Sequence, residues 1–337
     1  MKFIHLADCH LGDRFAFQSE FSNKIRENNK KSLENILKNN KDVDFVLIAG
    51  DLYERSLFTL NDYKKLFKLI EDFGRDVFYV TGNHDYIGLD NKDILKLKPC
   101  NLNIFSHKEL EYYEINSTRI YGLSYDDRIF NEEFSYDIKL DDDYFNILLA
   151  HGTINNPKST YLDLNLEKLK KIGFDYVALG HIHKREDFGS NIYYSGSIEP
   201  SDFSDVYDYG YIFYDEGEIT HYDTSIMKFH DLKLSIDDFK DENDLISFIN
   251  SKLKTNKENY LRISFDKQVN INKFRKDINA DYIQIRVDEK ESLYDLIDFY
   301  PNSLLEKYRK KFPDELDEVH ARALELGLDA IYRSKDD

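Results

Sequence analysis

The strongest constraint on this chain is one arrangement that recurs through its first 227 residues. A short apolar run of strand length ends in a small group of polar residues near a glycine. Phe3-Ile4-His5-Leu6-Ala7 leads into Asp8-Cys9-His10, Phe45-Val46-Leu47-Ile48-Ala49 into Gly50-Asp51, and Val77-Phe78-Tyr79-Val80 into Thr81-Gly82-Asn83-His84-Asp85. Ile147-Leu148-Leu149-Ala150 leads into His151-Gly152, and Tyr176-Val177-Ala178-Leu179 into Gly180-His181-Ile182-His183. Near-continuous Val, Ile and Leu runs mark strands covered on both faces. Stretches of helical character at Lys24 to Asn39 and Leu60 to Asp72 alternate with them, which predicts an α/β fold. Ligands of such folds bind at the carboxyl ends of the strands, where all of these polar groups fall.

A length of 337 residues suggests more than one domain, each with its own core. With 41% hydrophobic residues, including 25 Tyr and 24 Phe, the composition excludes a disordered chain despite 33% charged residues. No apolar run approaches the ~18 to 20 residues of a membrane-spanning helix, and Phe3 to Ala7 stops at Asp8 with no cleavage pattern after it. Cys9 and Cys100 are the only cysteines, as expected of a reducing compartment, so the predicted location is cytoplasmic, with no membrane partner. The net charge of -18 argues against a non-specific nucleic-acid binder. From Lys228 onward 20 basic and 24 acidic residues leave -4, so -14 sits in the front part, where bound cations would claim some of the carboxylates.

After about Asp223 the texture changes. Phe229 to Ile236, Tyr260 to Phe265 and Tyr282 to Val287 read as half-buried strands, with helices at Glu242 to Leu253 and Ile271 to Ile278 between them. The expected organisation is a main domain over 1–225, a small βαβαβ unit over 226–290 and a helical tail over 291–337. The tail reads as two helices broken at Pro313, the second carrying Leu316, Val319, Ala323, Leu326 and Ala330 at steps of three and four. That stripe either grips another helix or folds onto its own domain; two heptads do not decide.

The chemistry lies in Asp8, His10, Asp51, Asn83, His84, Asp85, His151, His181 and His183. A hydrolytic dinuclear centre needs imidazole nitrogens and carboxylate or amide oxygens from several strand ends, with one carboxylate bridging two cations. Asp51 is the natural bridge. The i, i+2 spacing in Asp8-Cys9-His10 and His181-Ile182-His183 predicts extended segments with both ligands on one face, and Cys9 and Ile182 turned into the core. A lone His or Asp at a strand end is usually structural. The ordered set D-x-H, G-D, G-N-H-D, H-G, G-H-x-H is not reached by chance, and its completeness sets aside a scaffold that has lost its metals. His5 reads as a packed residue of the first strand.

This ordered set resembles the calcineurin-like metallophosphoesterases, and its form is similar to their DNA-repair nuclease branch, the SbcD and YhaO-type exonucleases. The opening Met1-Lys2-Phe3-Ile4-His5-Leu6-Ala7-Asp8-Cys9-His10-Leu11-Gly12 carries the likeness, as does Tyr194-Ser195-Gly196-Ser197-Ile198-Glu199-Pro200-Ser201-Asp202-Phe203. The resemblance covers about the first 205 residues. It implies a β-sandwich flanked by helices, followed by a capping domain and a tail that binds an SbcC-like coiled-coil ATPase. It implies two divalent cations, usually Mn2+, one held by Asp8, His10, Asp51 and His183, the other by Asp51, Asn83, His151 and His181. His84 would act on the phosphate, with Asp85 orienting its ring, and a homodimer is expected. Where some members carry a second His three residues after the bridge, this chain has Glu54, whose role stays open. The implied activity is a two-metal DNA nuclease, exonucleolytic on ends and endonucleolytic on single strands. The alternative is a phosphodiesterase acting on nucleotides or other small phosphodiesters. No G-x-x-x-x-G-K-[ST] loop is present, so coupled ATP hydrolysis would come from a partner. Lys184 and Arg185 are candidates to reach phosphates. For Lys307, Arg309, Lys310 and Lys311 a solvated helix face is the default.

Overall fold

The computed structural model describes residues 1–13, 19–88, 92–107, 109–130, 133–201, 203–204, 206–266, 275–287, 304–312 and 318–333. The expected break at Pro313, together with Leu316, Asp202 and the first half of the helix expected over Ile271 to Ile278, lies outside them. Contacts divide the chain into two units, Met1–Phe229 with Lys254–Asn259, and His230–Leu253 with Tyr260–Asp337.

The first unit opens with β1 (Lys2–Leu6), α1 (Ser19–Asn39), β2 (Phe45–Ala49), α2 (Leu60–Phe73), β3 (Asp76–Val80), α3 (Lys92–Leu95) and β4 (Leu102–Ile104). It continues through β5 (Glu111–Ile115), β6 (Thr118–Gly122), β7 (Phe145–His151), β8 (Thr153–Ile154), β9 (Asp163–Leu164) and α4 (Leu166–Ile172). β10 (Tyr176–Gly180), β11 (Glu186–Asp187), β12 (Ile192–Tyr194), β13 (Gly210–Asp215) and β14 (Glu218–Asp223) complete it. Among the described residues two six-stranded sheets result, ordered β14-β13-β1-β2-β3-β4 and β11-β12-β10-β7-β6-β5. β1, β2, β3 and β4 run parallel in the first, and β6, β7, β10 and β12 in the second.

The apolar runs are continuous because each strand has a partner layer on both sides. β1 turns Phe3 and Ala7 into the core between the sheets and Ile4 and Leu6 outward, and β2 divides Phe45, Leu47 and Ala49 from Val46 and Ile48 in the same way. Leu33 and Ile36 of α1 and Leu66 and Ile70 of α2 cover the outer face. α2 starts where Thr59 and Asp62 form a capping box, and ends at Gly74 with φ 76°. On the other sheet Leu148, Ala150, Val177 and Leu179 pack outward with Leu169 and Phe174. The expected helix-flanked β-sandwich is therefore present. Leu149 is fully buried between the sheets. Leu149→Ala is expected to lower unfolding stability by about 2–5 kcal/mol in denaturant melts, and a loss well below 1 kcal/mol would show that the sheets close over the gap.

His5 is buried in that core. Its Nε2 donates to the Leu179 carbonyl at 3.1 Å, so its Nδ1 accepts from the Tyr176 hydroxyl, also at 3.1 Å. Burial pushes its pKa down to about 3, a neutral, satisfied core residue.

β15 (Met227–Leu234) and β16 (Glu258–Phe265) begin in the first unit and run into the second, where β17 (Tyr282–Val287) pairs parallel with β16. α5 (Glu242–Lys252), capped by the Asp241 carboxylate, sets Leu245 and Ile249 against Leu261, Ile263 and Phe265. Of the second expected helix, the described part is a 3₁₀ turn, Arg275–Asp277. In the tail, α6 (Leu304–Arg309) and α7 (Glu318–Arg333) pack through Leu324 and Leu328 against Tyr308 and Phe312. The stripe of Val319 and Leu326 lies off these residues, Val319 being 75% exposed and Leu326 55%.

Candidate metal centre

The carboxyl ends of β1, β2 and β3 from one sheet and of β7 and β10 from the other meet at one edge of the sandwich. Three groups of side chains there present ligand atoms within 4.8 Å of one another: Asp8, His10 and His183; His10, Asp51 and His84; and Asp51, His151 and His181. Asn83 joins the last, its Oδ1 3.1 Å from His151 Nε2.

The backbone that makes this convergence is not the expected extended one. Asp8 (φ 50°), His10 (φ 44°), Asp51 (φ 50°) and His181 (φ 100°) all have positive φ, each at a cost of about 1–3 kcal/mol for a non-glycine residue. The ligand pairs therefore converge through left-handed kinks and not through the pleat of a strand. The loops hold each other there, with Asp8 N donating to Gly50 O at 3.1 Å, His10 N to Asp51 O at 3.0 Å, and His181 N to both Asp8 carboxylate oxygens at 3.1 Å. Cys9 is buried in the core below, and burial pushes its thiol pKa well up, so it packs as expected. Gly82 has no room for a side chain, because an added Cβ would strike the Asp51 carboxylate and the His151 ring.

The donor set suits divalent cations with nitrogen and oxygen ligands. His151 Nδ1 donates to the Ala49 carbonyl at 2.8 Å, which leaves Nε2 facing Asp51 Oδ2 at 3.2 Å. Nε2 of His10 and Nε2 of His183 face each other at 3.1 Å, and the buried His10 Nδ1 has no partner among the described residues. Burial raises the Asp8 carboxyl to about 6, against the pull of His151 and His183. Burial would raise Asp51 too, but His151, His10 and His84 hold it below the ordinary carboxylate range. Burial would lower His151, yet Asp51 raises it to about 9, so a cation binding there must displace a proton. Burial takes both His10 and His181 down to about 3.

The orienting role expected of Asp85 falls elsewhere. Its carboxylate accepts the backbone N–H of Leu52 at 2.5 Å, Gly82 at 2.6 Å and Asp51 at 3.3 Å, and the Tyr79 hydroxyl. It clips the loop after β2 to the loop after β3, and burial raises its pKa to about 7. Asp85 is drawn to the backbone because these N–H groups are otherwise unmatched and it lies inside their turn. The partner of His84 is Glu54, whose Oε2 is 2.6 Å from Nδ1. Glu54 is the main cause of the raised His84 pKa. Burial would raise Glu54, but the imidazole holds it down. Its place three residues after Asp51 was the one sequence signal for this pair. Tyr161, which had no such signal, lies over His181 with ring centroids 4.4 Å apart.

The family model for calcineurin-like phosphoesterases matches residues 1–185, more than half of the chain, and the chain belongs to that family. It is a family of divalent-metal phosphoester hydrolases. Among relatives, the chain is 31% identical over 231 residues to the Bacillus subtilis protein "Uncharacterized metallophosphoesterase YhaO", covering 63% of this chain and 56% of the relative. It is 32% identical over 222 residues to the DNA double-strand break repair protein Mre11 of Methanocaldococcus jannaschii, covering 59% and 57%. It is 29% identical over 227 residues to the Mre11 protein of Methanococcus maripaludis, covering 62% and 60%. The chain thus spans little more than half the length of the relatives it matches.

Proposed function

We propose that this protein is a two-metal DNA nuclease, exonucleolytic on DNA ends and able to cut single strands, acting with an SbcC-like coiled-coil ATPase. The observation that carries the reading is the sharing of Asp51 between two ligand groups. Asp8, His10, Asp51 and His183 would hold one cation, and Asp51, Asn83, His151 and His181 the other, with Mn2+ the expected metal. When bound, such a pair activates water and neutralises charge on the phosphoryl oxygens. The chain supplies the rest. Glu54 occupies Nδ1 of His84 and favours the protonated ring, whose Nε2–H would donate to a phosphate oxygen or to the departing oxygen. Asp85 holds the loops of Asp51 and Asn83 in register.

DNA as substrate is supported by the relatives whose names place them in double-strand break repair. A helix-presenting ATPase is supported by the exposed Val319 and Leu326 on α7. Pairing of two copies and a cytoplasmic setting complete the reading. The second reading is a phosphodiesterase on small phosphodiesters, which uses the same ligands.

The test is Mn2+-dependent hydrolysis of linear duplex DNA beside bis(p-nitrophenyl) phosphate, with Asp51→Asn as control. Shortening of DNA from its ends supports the nuclease. Cleavage of the small diester alone, persisting when a coiled-coil ATPase is added, would replace it with the second reading. Hydrolysis of neither would overturn both.

A further inference from the structure

α1 reaches the metal-binding loop from one side and the crossings between the two units from another. Lys24, Asn28 and Ser32 are spaced four apart and share one face of the helix. Lys24 Nζ lies 3.1 Å from Glu258 Oε2, and Asn28 Nδ2 donates to the same oxygen at 2.8 Å. Ser32 Oγ donates to the buried carboxylate of Glu199, which also accepts the N–H groups of Ile226 at 2.5 Å and Met227 at 3.0 Å. Ile226, Met227 and Glu258 belong to the two stretches through which the chain passes from one unit to the other. Those stretches are tied together, Glu258 N donating to Ile226 O at 2.9 Å and Lys257 Nζ to Ser225 Oγ at 2.6 Å. The polar face of α1 therefore ends on a clamp.

The residue beside Asn28 points to the metal centre. Asn29, 3% exposed, donates from Nδ2 to the Cys9 carbonyl at 3.2 Å. That carbonyl belongs to the peptide bond joining Cys9 to His10, inside the kink where Asp8 and His10 have positive φ. Farther along the same loop, Arg26 Nε donates to Asp13 O at 2.6 Å, and Asp13 N donates to His10 O at 3.3 Å. α1 thus grips the loop on both sides of His10. Among the described residues, neither Asn29 Oδ1 nor His10 Nδ1, both buried, has a partner. An imidazole that ligates through one nitrogen needs an acceptor for the proton on the other.

We propose that Asn29 is a positioning residue for the cation held by Asp8 and His10, and that α1 links the setting of their loop to the clamp made by Glu199 and Glu258. Its amide fixes the Cys9 carbonyl, and its free oxygen is the acceptor for His10 Nδ1–H when Nε2 ligates. The inference rests on the two-metal reading above.

The test is Mn2+ titration of the full chain followed by electron paramagnetic resonance. The unaltered protein should show a spin-coupled pair; if it binds no pair, the two-metal reading itself fails. Asn29→Ala should weaken one site about 10–100-fold and spare the other, so the coupled signal gives way to that of an isolated bound ion. A paired Asn28→Ala and Ser32→Ala variant, with Asn29 in place, should weaken the same site by a smaller factor. A coupled pair of unchanged affinity in Asn29→Ala would overturn the proposal. So would equal weakening of both sites together with a lower melting temperature, which would make Asn29 merely structural. Should Asn29→Ala not fold, unchanged affinity in the paired variant overturns it.

Discussion

Asp51→Asn should release both metals together and lower hydrolysis by roughly 10³-fold or more, at least the loss expected when one stabilising group leaves such a site. Asp51 stands with His10 and His84 in one group of close ligand atoms and with His151 and His181 in another. Oδ2 lies 3.2 Å from His151 Nε2, and Oδ1 accepts the backbone N–H of His84 at 2.9 Å. Asn keeps the size and one acceptor but removes the negative charge that faces His151 and that, in the proposed reading, both cations would share. Metal content measured on the purified variant decides the matter. Retention of both metals would rule out Asp51 as the bridge, whatever happened to activity.

His84→Gln should lower hydrolysis by about 10²–10⁴-fold and leave metal content nearly intact, because His84 is assigned to the phosphate and not to the cations. Loss of both metals in that variant would show the assignment to be wrong. Glu54→Gln tests the same group from behind. His84 has a raised pKa mainly because Glu54 takes its Nδ1–H, so the ring stays protonated to higher pH than an ordinary histidine. Without that carboxylate the imidazolium loses its proton at lower pH, and the alkaline limb of the activity profile should move down. An unmoved limb would separate Glu54 from His84. Asp85→Asn should move that limb less than Glu54→Gln does, since Asp85 contacts the loop backbone and acts on the ring only through its charge, and should act mainly through metal binding.

Much of the site was legible in the sequence, and the reasons are local. A strand-length apolar run followed by a polar group marks a strand end, and residues such as Phe3, Leu47, Ile147 and Leu149 show their burial through their neighbours alone. His5 and Cys9 could be read as packing for the same reason. The Glu54–His84 pair could not, because it joins residues thirty apart in two different loops. Nor could the kinks at Asp8, His10, Asp51 and His181, since none of these residue types announces positive φ as glycine does. The role of the α7 stripe stayed open in the sequence, because steps of three and four fit two adjacent faces of one helix, and packing against α6 took Leu324 and Leu328.

By itself, the sequence determined which side chains stand at the strand ends and that the strands are covered on both faces, because periodicity and punctuation act over a few residues. Only the tertiary structure decided which of those side chains meet. Asp85 settles on backbone N–H groups, Glu54 on His84 and Asn29 on the Cys9 carbonyl because the loops fold back through left-handed turns and α1 packs across them. Such pairings satisfy buried polar groups wherever they fall in space, and separation along the chain carries no record of that distance.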